Sequence, residues 1–471
     1  MLFTQPLFLV FFAAVFGLAW STRDDRRRKL VLLAASYLFY AAWDWRFLSL
    51  ILASTAVDFA AALAMERTPS SSARKGWLIA SLTVNLGMLA AFKYFNFFVE
   101  SAALLLRPFG AEIGDRALAI VLPVGISFFT FQTMSYTIDV YRGKLVPLTS
   151  FADFALFVSF FPQLVAGPIV RAAHFLPQLA RRPRWAAIDK RRYLALFLAG
   201  FVKKACVADA VAPYVDRVFA RPELYAAAAV WIAVLLYAVQ IYCDFSGYTD
   251  MAIACAGLLG YDLGPNFNFP YLASSLTDFW RRWHISLSSW LRDYLFIPLG
   301  GSRGTRLFTY RNLLLTMLLG GLWHGAAWTF VAWGALHGLG LVAHKEWIRR
   351  TGRTGRTGQT CRTLRLLGTA ATFYAVCCAW IFFRAQSFGD AAVLLKAFVL
   401  FDAAGTLALE PWLLALFAAL AAVHALASRM PLERLVAAVP DGLFAPAYGV
   451  ATALALAFVP MRAAPFIYFQ F

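Results

Sequence analysis

Residues 313–344 read LLLTMLLGGLWHGAAWTFVAWGALHGLGLVAH, an apolar run that holds three of the six histidines in the chain. Because about 20 apolar residues are enough to span a bilayer, a run of this length predicts membrane-embedded helix. Ionisable side chains are costly in lipid and face the interior of a helix bundle, so each histidine here is a candidate for function. The stretch therefore predicts a membrane protein with chemistry inside its bundle.

The whole chain has a composition that fits this stretch. Of its 471 residues, 61% are hydrophobic and 14% are charged, whereas a soluble domain carries about 25% charged residues. Apolar segments recur along the chain, and several are short or interrupted by glycine and proline. We therefore expect an all-α, polytopic membrane protein with roughly a dozen transmembrane or re-entrant helices in a single domain, residues 1–471. The predicted segments are 2–20, 30–42, 47–65, 77–98, 117–141, 151–170, 193–211, 224–243, 313–344, 366–383, 412–427 and 447–461.

The net charge of +18 is concentrated in a few places. More than half of the lysines and arginines fall in four hydrophilic stretches, and the loops between these stretches are balanced or slightly acidic. Such asymmetry marks cytoplasmic loops, which argues against nucleic acid as the partner but leaves an anionic cytoplasmic substrate open. The first segment is expected to stay uncleaved with the N-terminus outside, because its positive charge follows the apolar residues. The four stretches are 21–29, 171–192, 281–311 and 345–365.

Three further sequence features are not expected to take part in a reaction. An Arg-Thr-Gly triplet repeats over residues 350–358 and predicts a flexible basic loop at 346–365. The six cysteines form no C-x-x-C pair, so we expect buried free thiols and no metal site. Residues 300–304, GGSRG, match the nucleophile elbow, but that elbow needs a strand before it and a helix after it. Ser302 lies in a basic, glycine-rich loop and is not expected to be a nucleophile.

His324 is the strongest single candidate. It lies at the middle of the run 313–344, after Gly320-Gly321 and before Gly325, with Trp323 and Trp328 alongside. Glycines let another backbone or a substrate approach closely. The alternative is a satisfied core histidine, but the coincidence of depth, glycines and aromatic neighbours favours a functional residue.

Three other polar residues remain candidates for the same site. His337 is followed by glycine and could face the same cavity as His324, although packing is the favoured interpretation. Asp244 and Asp250 are carboxylates beside an apolar run. Either could orient a histidine through a hydrogen bond, but we expect them to pair with the lysines at 203 and 204 inside the bundle.

Residues 279–294, FWRRWHISLSSWLRDY, mix aromatic and basic side chains around His284. Two interpretations stay open. The segment could be an amphipathic helix in the membrane plane, with its tryptophans in an aromatic belt. Alternatively it could form a cytoplasmic entrance where Arg281, Arg282 and Arg292 hold phosphates and His284 points inward.

Taken together, these segments resemble the membrane-bound O-acyltransferases, and they are most similar to the bacterial alginate O-acetyltransferase subfamily. The resemblance is carried by residues 280–294 with PLGG after them, by GGLWHGA at 320–326 and by WGALHG at 333–338. It runs nearly end to end. Other matching segments are SYLFY at 36–40, PVGISFFTF at 123–131, FPQLVAGPI at 161–169, residues 244–250 and PFIYFQF at 465–471.

The resemblance implies a fold and a reaction. The fold would have funnels from both membrane faces that meet at a narrow neck, with a catalytic core at about 120–345. His324 matches the family's catalytic histidine at the neck, and His284 matches its second histidine on the cytoplasmic side. The implied reaction, in a bacterial inner membrane, moves an acetyl group from acetyl-CoA to a hydroxyl on the far side. In some relatives a lipid or a carrier protein is the donor.

The residues suit that chemistry. A neutral imidazole can take a proton from an attacking hydroxyl or thiol near neutral pH. No bound cofactor is expected; acetyl-CoA would be a substrate, and the phosphate role of the arginines is inferred from charge and placement. The loops assigned to the outside are short, so a separate periplasmic SGNH-type transferase would complete transfer to a polysaccharide. The alternatives are a transporter or flippase for an anionic substrate, and a non-catalytic subunit of a polysaccharide synthase complex.

Overall fold

The computed structural model describes residues 1–109, 120–352, 362–460 and 466–467. Within these ranges the chain is helical and has no β-strand, apart from one isolated bridge between Tyr225 and Leu407. The all-α prediction is confirmed. The α-helices are α1 Pro6–Ser21, α2 Asp25–Asp44, α3 Leu48–Arg67, α4 Ser71–Leu89, α5 Phe95–Leu106, α6 Ile126–Tyr141, α7 Phe151–Ser159, α8 Phe161–Leu164, α9 Ala172–Leu179, α10 Lys190–Phe201, α11 Asp209–Ala220, α12 Ala227–Leu258, α13 Leu276–Arg282, α14 Ile285–Leu291, α15 Arg306–His324, α16 Trp328–Thr351, α17 Arg362–Arg384, α18 Phe388–Leu400, α19 Trp412–Ala427, α20 Leu432–Ala438 and α21 Asp441–Ala457.

Among the described residues, four helical stretches are long and apolar enough to cross a membrane. The bent pair α19 and α20, with 76° between its halves, could make a fifth span. Several predicted segments divide into shorter pieces: 151–170 contains α7 and α8, and 193–211 is interrupted by a π-helix at Val202–Ala208. Long apolar helices beside shorter pieces agree with the predicted polytopic membrane protein, whose segments were expected to include re-entrant pieces. The four stretches are Asp25–Arg67, Ser71–Phe109, Ala227–Leu258 and Thr363–Arg384.

The chain packs as two compact units. The first comprises Met1–Tyr193 with Ala252–Gly264, and the second comprises Leu194–Met251 with Pro265–Phe471. A single domain over 1–471 stays a prediction. Most of the Arg-Thr-Gly triplet, at 353–361, and most of the terminal motif, at 465 and 468–471, lie outside the described residues.

The first unit buries polar groups that satisfy one another. The Asp58 carboxylate accepts hydrogen bonds from Ser81 Oγ at 2.5 Å and from Asn85 Nδ2 at 3.0 Å. The guanidinium of Arg28, 1% exposed, donates to the carbonyl of Leu259 at 2.6 Å. Pairing of this kind offsets the desolvation cost of burying polar groups, so these contacts stabilise the unit.

In the second unit, the apolar run 313–344 forms a hairpin of two helices. Helix α15 ends at His324 and α16 begins at Trp328. The backbone of Gly325 is extended, with φ −153° and ψ 146°, which ends the helix directly after His324. The histidine that the run placed in the middle of one long segment is therefore the last residue of a helix. Its side chain lies where two helices turn.

Glycines allow the two helices of the hairpin to touch. A Cβ atom added to Gly321 would overlap the carbonyl oxygen of Phe330, and one added to Gly334 would overlap the carbonyl oxygen of Met317. Such close approach of helix backbones requires small residues. This confirms that glycines beside His324 admit another backbone.

Replacing Gly321 by alanine is therefore expected to destabilise the protein and lower its activity. Overpacking of a well-packed contact costs about 1–3 kcal/mol, and here the clash is with backbone, which cannot rotate away. Gly320→Ala is the matched control, because its Cβ would meet the flexible end of Leu291 at 3.1 Å. In detergent, the midpoint of thermal unfolding should be clearly lower for Gly321→Ala than for Gly320→Ala. Equal midpoints would contradict the packing argument.

Candidate active site

His284 breaks the aromatic and basic segment into two short helices. It caps α14 with φ 43° and ψ 56°, in the left-handed region that a residue with a Cβ rarely adopts. Such a conformation costs about 1–3 kcal/mol and is found mostly at functional sites. Of the two interpretations left open for 279–294, a single amphipathic helix is wrong, because a left-handed residue cannot continue a right-handed helix.

Two of the three tryptophans of this segment are core residues. Trp283 is fully buried, and Trp290 and Tyr294 are buried as well. The Trp283 ring packs against Phe267 at 5.1 Å and Trp380 at 5.0 Å, measured between centroids. The predicted aromatic belt is therefore wrong for these three side chains, which pack inside the second unit.

The structure brings His284 and His324 together. Their ring centroids are 6.5 Å apart, and the two side chains are 0% and 4% exposed. Trp323 contacts both, at 6.2 Å from His284 and 5.0 Å from His324. The two histidines, 40 residues apart in the sequence, thus form one buried pair.

Aromatic rings enclose the pair. Measured between ring centroids, His324 lies 5.0 Å from Trp333 of α16 and 5.3 Å from Phe383 of α17. The centroid of the Phe245 ring of α12 lies 4.7 Å from that of His284. An enclosure of this kind keeps bulk water away from reacting groups. Helices α12, α16 and α17 of the second unit therefore supply an apolar lining to a polar centre.

Asn266 contacts His284 directly, although no sequence pattern singled it out. Its Oδ1 lies 3.2 Å from His284 Nδ1 and accepts hydrogen bonds from the backbone N and the Oγ of Ser286, at 3.1 and 2.8 Å. The Asn266 side chain is buried. A polar residue between Pro265 and Phe267 was the available signal, but the loop offered no periodicity that would have placed it beside a histidine.

His337 lies one ring further from the pair. The ring of Trp333 packs against both histidines, with centroid distances of 4.7 Å to His337 and 5.0 Å to His324. His337 is 1% exposed and stacks on Phe279 at 6.0 Å, with Trp280 at 5.1 Å. Packing accounts for these contacts, and a part for His337 in donor binding stays a prediction.

The three candidate arginines differ in their surroundings. Arg281 is exposed, and Arg282 Nε lies 3.0 Å from the carboxylate of Asp278. Arg292 is exposed and pairs with Asp293 at 2.7 Å. Partly exposed ion pairs are weak, so these carboxylates do not prevent the arginines from binding phosphate.

Asp244 and Asp250 form the predicted ion pairs. Asp250 Oδ2 lies 2.6 Å from Lys203 Nζ, and Asp244 Oδ1 lies 2.6 Å from Lys204 Nζ. Lys204 also contacts Asp209 at 2.7 Å, which places one buried ammonium between two buried carboxylates. The expectation of pairing inside the bundle is confirmed, and participation of either aspartate in substrate binding stays a prediction.

Comparison with known proteins places this geometry in a family. Residues 142–387 match the model of MBOAT, the membrane-bound O-acyltransferase family, and this range contains both histidines of the pair. A probable alginate O-acetylase AlgI of Azotobacter vinelandii is 43% identical over 82% of this chain and 76% of its own length. A peptidoglycan O-acetyltransferase of Helicobacter pylori is 36% identical over 85% of this chain and 80% of its own length. A teichoic acid D-alanyltransferase of Streptococcus thermophilus is 28% identical over 48% and 58% of the two chains. With this match and its long apolar helices, the chain is a multi-pass membrane acyltransferase that belongs to the membrane-bound O-acyltransferase family.

Proposed function

We propose that this protein passes an acetyl group from cytoplasmic acetyl-CoA across the bacterial inner membrane for O-acetylation of an extracytoplasmic polysaccharide. The observation that carries the proposal is the buried pair His284 and His324, enclosed by aromatic rings in a family of acyltransferases. Relatives that align over most of this chain are named for O-acetylation of alginate and of peptidoglycan, and both of these are carbohydrate polymers.

In the proposed reaction His324 acts as the general base. Its imidazole takes the proton of the attacking hydroxyl while the oxygen adds to the thioester carbonyl. The tetrahedral intermediate then collapses, the C–S bond breaks, and the leaving thiolate recovers the proton from the imidazolium. General-base help of this kind contributes about 10²–10⁴-fold to a rate. The aromatic lining limits competing hydrolysis of the thioester, and His284 assists beside it.

The donor would approach along the basic segment that ends α13. Arg281 and Arg282 carry charge suited to the phosphates of CoA, and Arg281 is exposed.

Replacing Arg281 and Arg282 together by glutamine is expected to raise KM for acetyl-CoA about tenfold with little change in kcat. Hydrogen bonds to charged groups contribute about 1.5–3 kcal/mol, and solvent exposure reduces that figure. A short acetyl thioester without phosphates should be used equally well by variant and wild type. Arg221→Gln, an exposed arginine in the loop assigned to the opposite side, is the matched control. Equal KM values for acetyl-CoA would remove these arginines from donor binding.

Short outer loops support a two-protein relay. The segments assigned to the outside, such as residues 216–223, offer no globular domain to hold a polymer. We therefore propose a periplasmic transferase of the SGNH type as the partner that receives the acetyl group and delivers it.

Reconstitution in liposomes tests the proposed function. Labelled acetyl-CoA is supplied outside the vesicles, and the polysaccharide with a candidate periplasmic transferase is enclosed. We expect labelled polymer only when both proteins are present, with free CoA released outside. Entry of an intact labelled solute without acyl transfer would overturn the proposal in favour of a transporter.

A further inference from the structure

We infer that Asn266 is a positioning residue that holds His284 in the Nδ1–H tautomer, so that the ring's lone pair is on Nε2. The catalytic consequence rests on the proposed function. The tautomer itself is a property of the resting protein and is tested without any substrate.

The amide of Asn266 has a fixed orientation. Its Oδ1 accepts a hydrogen bond from the backbone N–H of Ser286 at 3.1 Å and from Ser286 Oγ at 2.8 Å. If the amide were flipped, its NH₂ group would face the backbone N–H of Ser286, and two donors would oppose each other. The oxygen therefore occupies the position next to His284.

The ring nitrogen that faces this oxygen must carry a hydrogen. His284 Nδ1 lies 3.2 Å from Asn266 Oδ1, which as an amide oxygen can only accept. In a neutral imidazole the second nitrogen then carries the lone pair. Nε2 of His284 is thereby assigned as the basic nitrogen of the ring.

Asn266 also holds the backbone turn that presents His284. Its carbonyl oxygen accepts a hydrogen bond from the N–H of Ile285 at 2.9 Å, directly after the left-handed residue. Main chain and side chain of one buried residue, 1% exposed, thus fix both the turn and the ring. Outer partners of this kind set tautomer and orientation in histidine sites generally.

The tautomer is measured first, in purified protein labelled with ¹⁵N-histidine. The signals of His284 are identified by their loss in His284→Gln. We expect the Nδ1–H pattern in the wild type and in Asn266→Asp, whose carboxylate still accepts, and a mixture of tautomers in Asn266→Ala. An Nε2–H pattern in the wild type would overturn the inference whatever the activity.

Turnover provides the second readout. Asn266→Ala is expected to lower kcat about tenfold or more, since His284 in the wrong tautomer no longer presents its lone pair at Nε2 and cannot assist His324. Asn266→Asp is expected to recover most of the activity and to move the acidic limb of the pH profile to higher pH, because a carboxylate stabilises the protonated ring. The rings packed around His284 include Phe245, Phe267, Trp323 and His324; His324 is an ionisable side chain among them, and none of these residues is changed in either variant.

Matched controls separate a positioning role from a structural one. Asn268, two residues along the same loop, is exposed, and its alanine and aspartate variants should leave kcat and the pH profile unchanged. If Asn266→Ala does not fold, Asn266→Asp still decides: an unshifted pH profile would overturn the inference. If the wild-type protein shows the Nδ1–H tautomer but no acyl transfer, the proposed function is contradicted. The assignment of Asn266 as the residue that positions His284 would still hold.

Discussion

Replacing His324 by alanine is expected to abolish acyl transfer while the protein still inserts and folds. The imidazole lies at the end of α15, 6.5 Å from His284, where it is placed to take the proton of the attacking hydroxyl. Loss of a general base lowers a rate by about 10²–10⁴-fold. Single-turnover release of CoA from labelled acetyl-CoA, with an acceptor present, measures the effect directly.

Two further variants make this result interpretable. His324→Gln keeps most of the side-chain volume against Trp333 and Phe383, so lost activity in this variant is not a packing defect. His174→Ala changes an exposed histidine of α9 that contacts the carbonyl of Asp262, and it should behave as the wild type. Polymer acetylation that survives both changes at His324 would favour the non-catalytic subunit of a synthase complex.

The largest effect on stability is expected from Lys204→Met. Lys204 Nζ lies 2.7 Å from Asp209 and 2.6 Å from Asp244, and all three side chains are 3–4% exposed. Removing the ammonium leaves two buried carboxylates facing each other. Breaking a buried ion pair from one side costs about 3–5 kcal/mol. Thermal unfolding and the yield of monodisperse protein in detergent both report this loss.

A control and a rescue sharpen this prediction. Lys203→Met removes the neighbouring ammonium, but the pair Lys203 and Asp250 is 32% and 18% exposed, so water can replace the lost partner and the loss should be smaller. Adding Asp209→Asn and Asp244→Asn to Lys204→Met removes the uncompensated charges and should recover most of the stability. A triple variant no better than Lys204→Met would mean that the charges are not the cause.

Sequence alone predicted the elements that depend on composition and local pattern. Apolar runs gave an all-helical membrane protein, and glycines with tryptophans singled out His324. The turn after His324 was missed, because alanine and glycine there remain apolar and hydropathy does not register a helix end. Trp283 looked like an interfacial residue for a similar reason: a tryptophan beside arginines has the same pattern whether it faces lipid headgroups or a core.

The contact between Asn266 and His284 could not be predicted from a periodic pattern. The two residues are separated by 18 positions and meet because a left-handed turn at His284 directs its ring back toward the preceding loop. Neither hydropathy nor helical spacing encodes such a turn. What sequence did provide was the right histidine, without the residue that orients it.

The segment at residues 466–467 has a consequence for biosynthesis. The backbone N–H of Ile467 donates to Asp244 Oδ2 at 2.7 Å, and the ring of Phe466 lies 6.2 Å from that of Phe245, which in turn contacts His284. These two residues are synthesised after every described helix. The contacts that residues 466 and 467 make beside His284 therefore form only after residue 467 has been synthesised. A nascent chain that is shorter than this lacks those contacts around its two histidines.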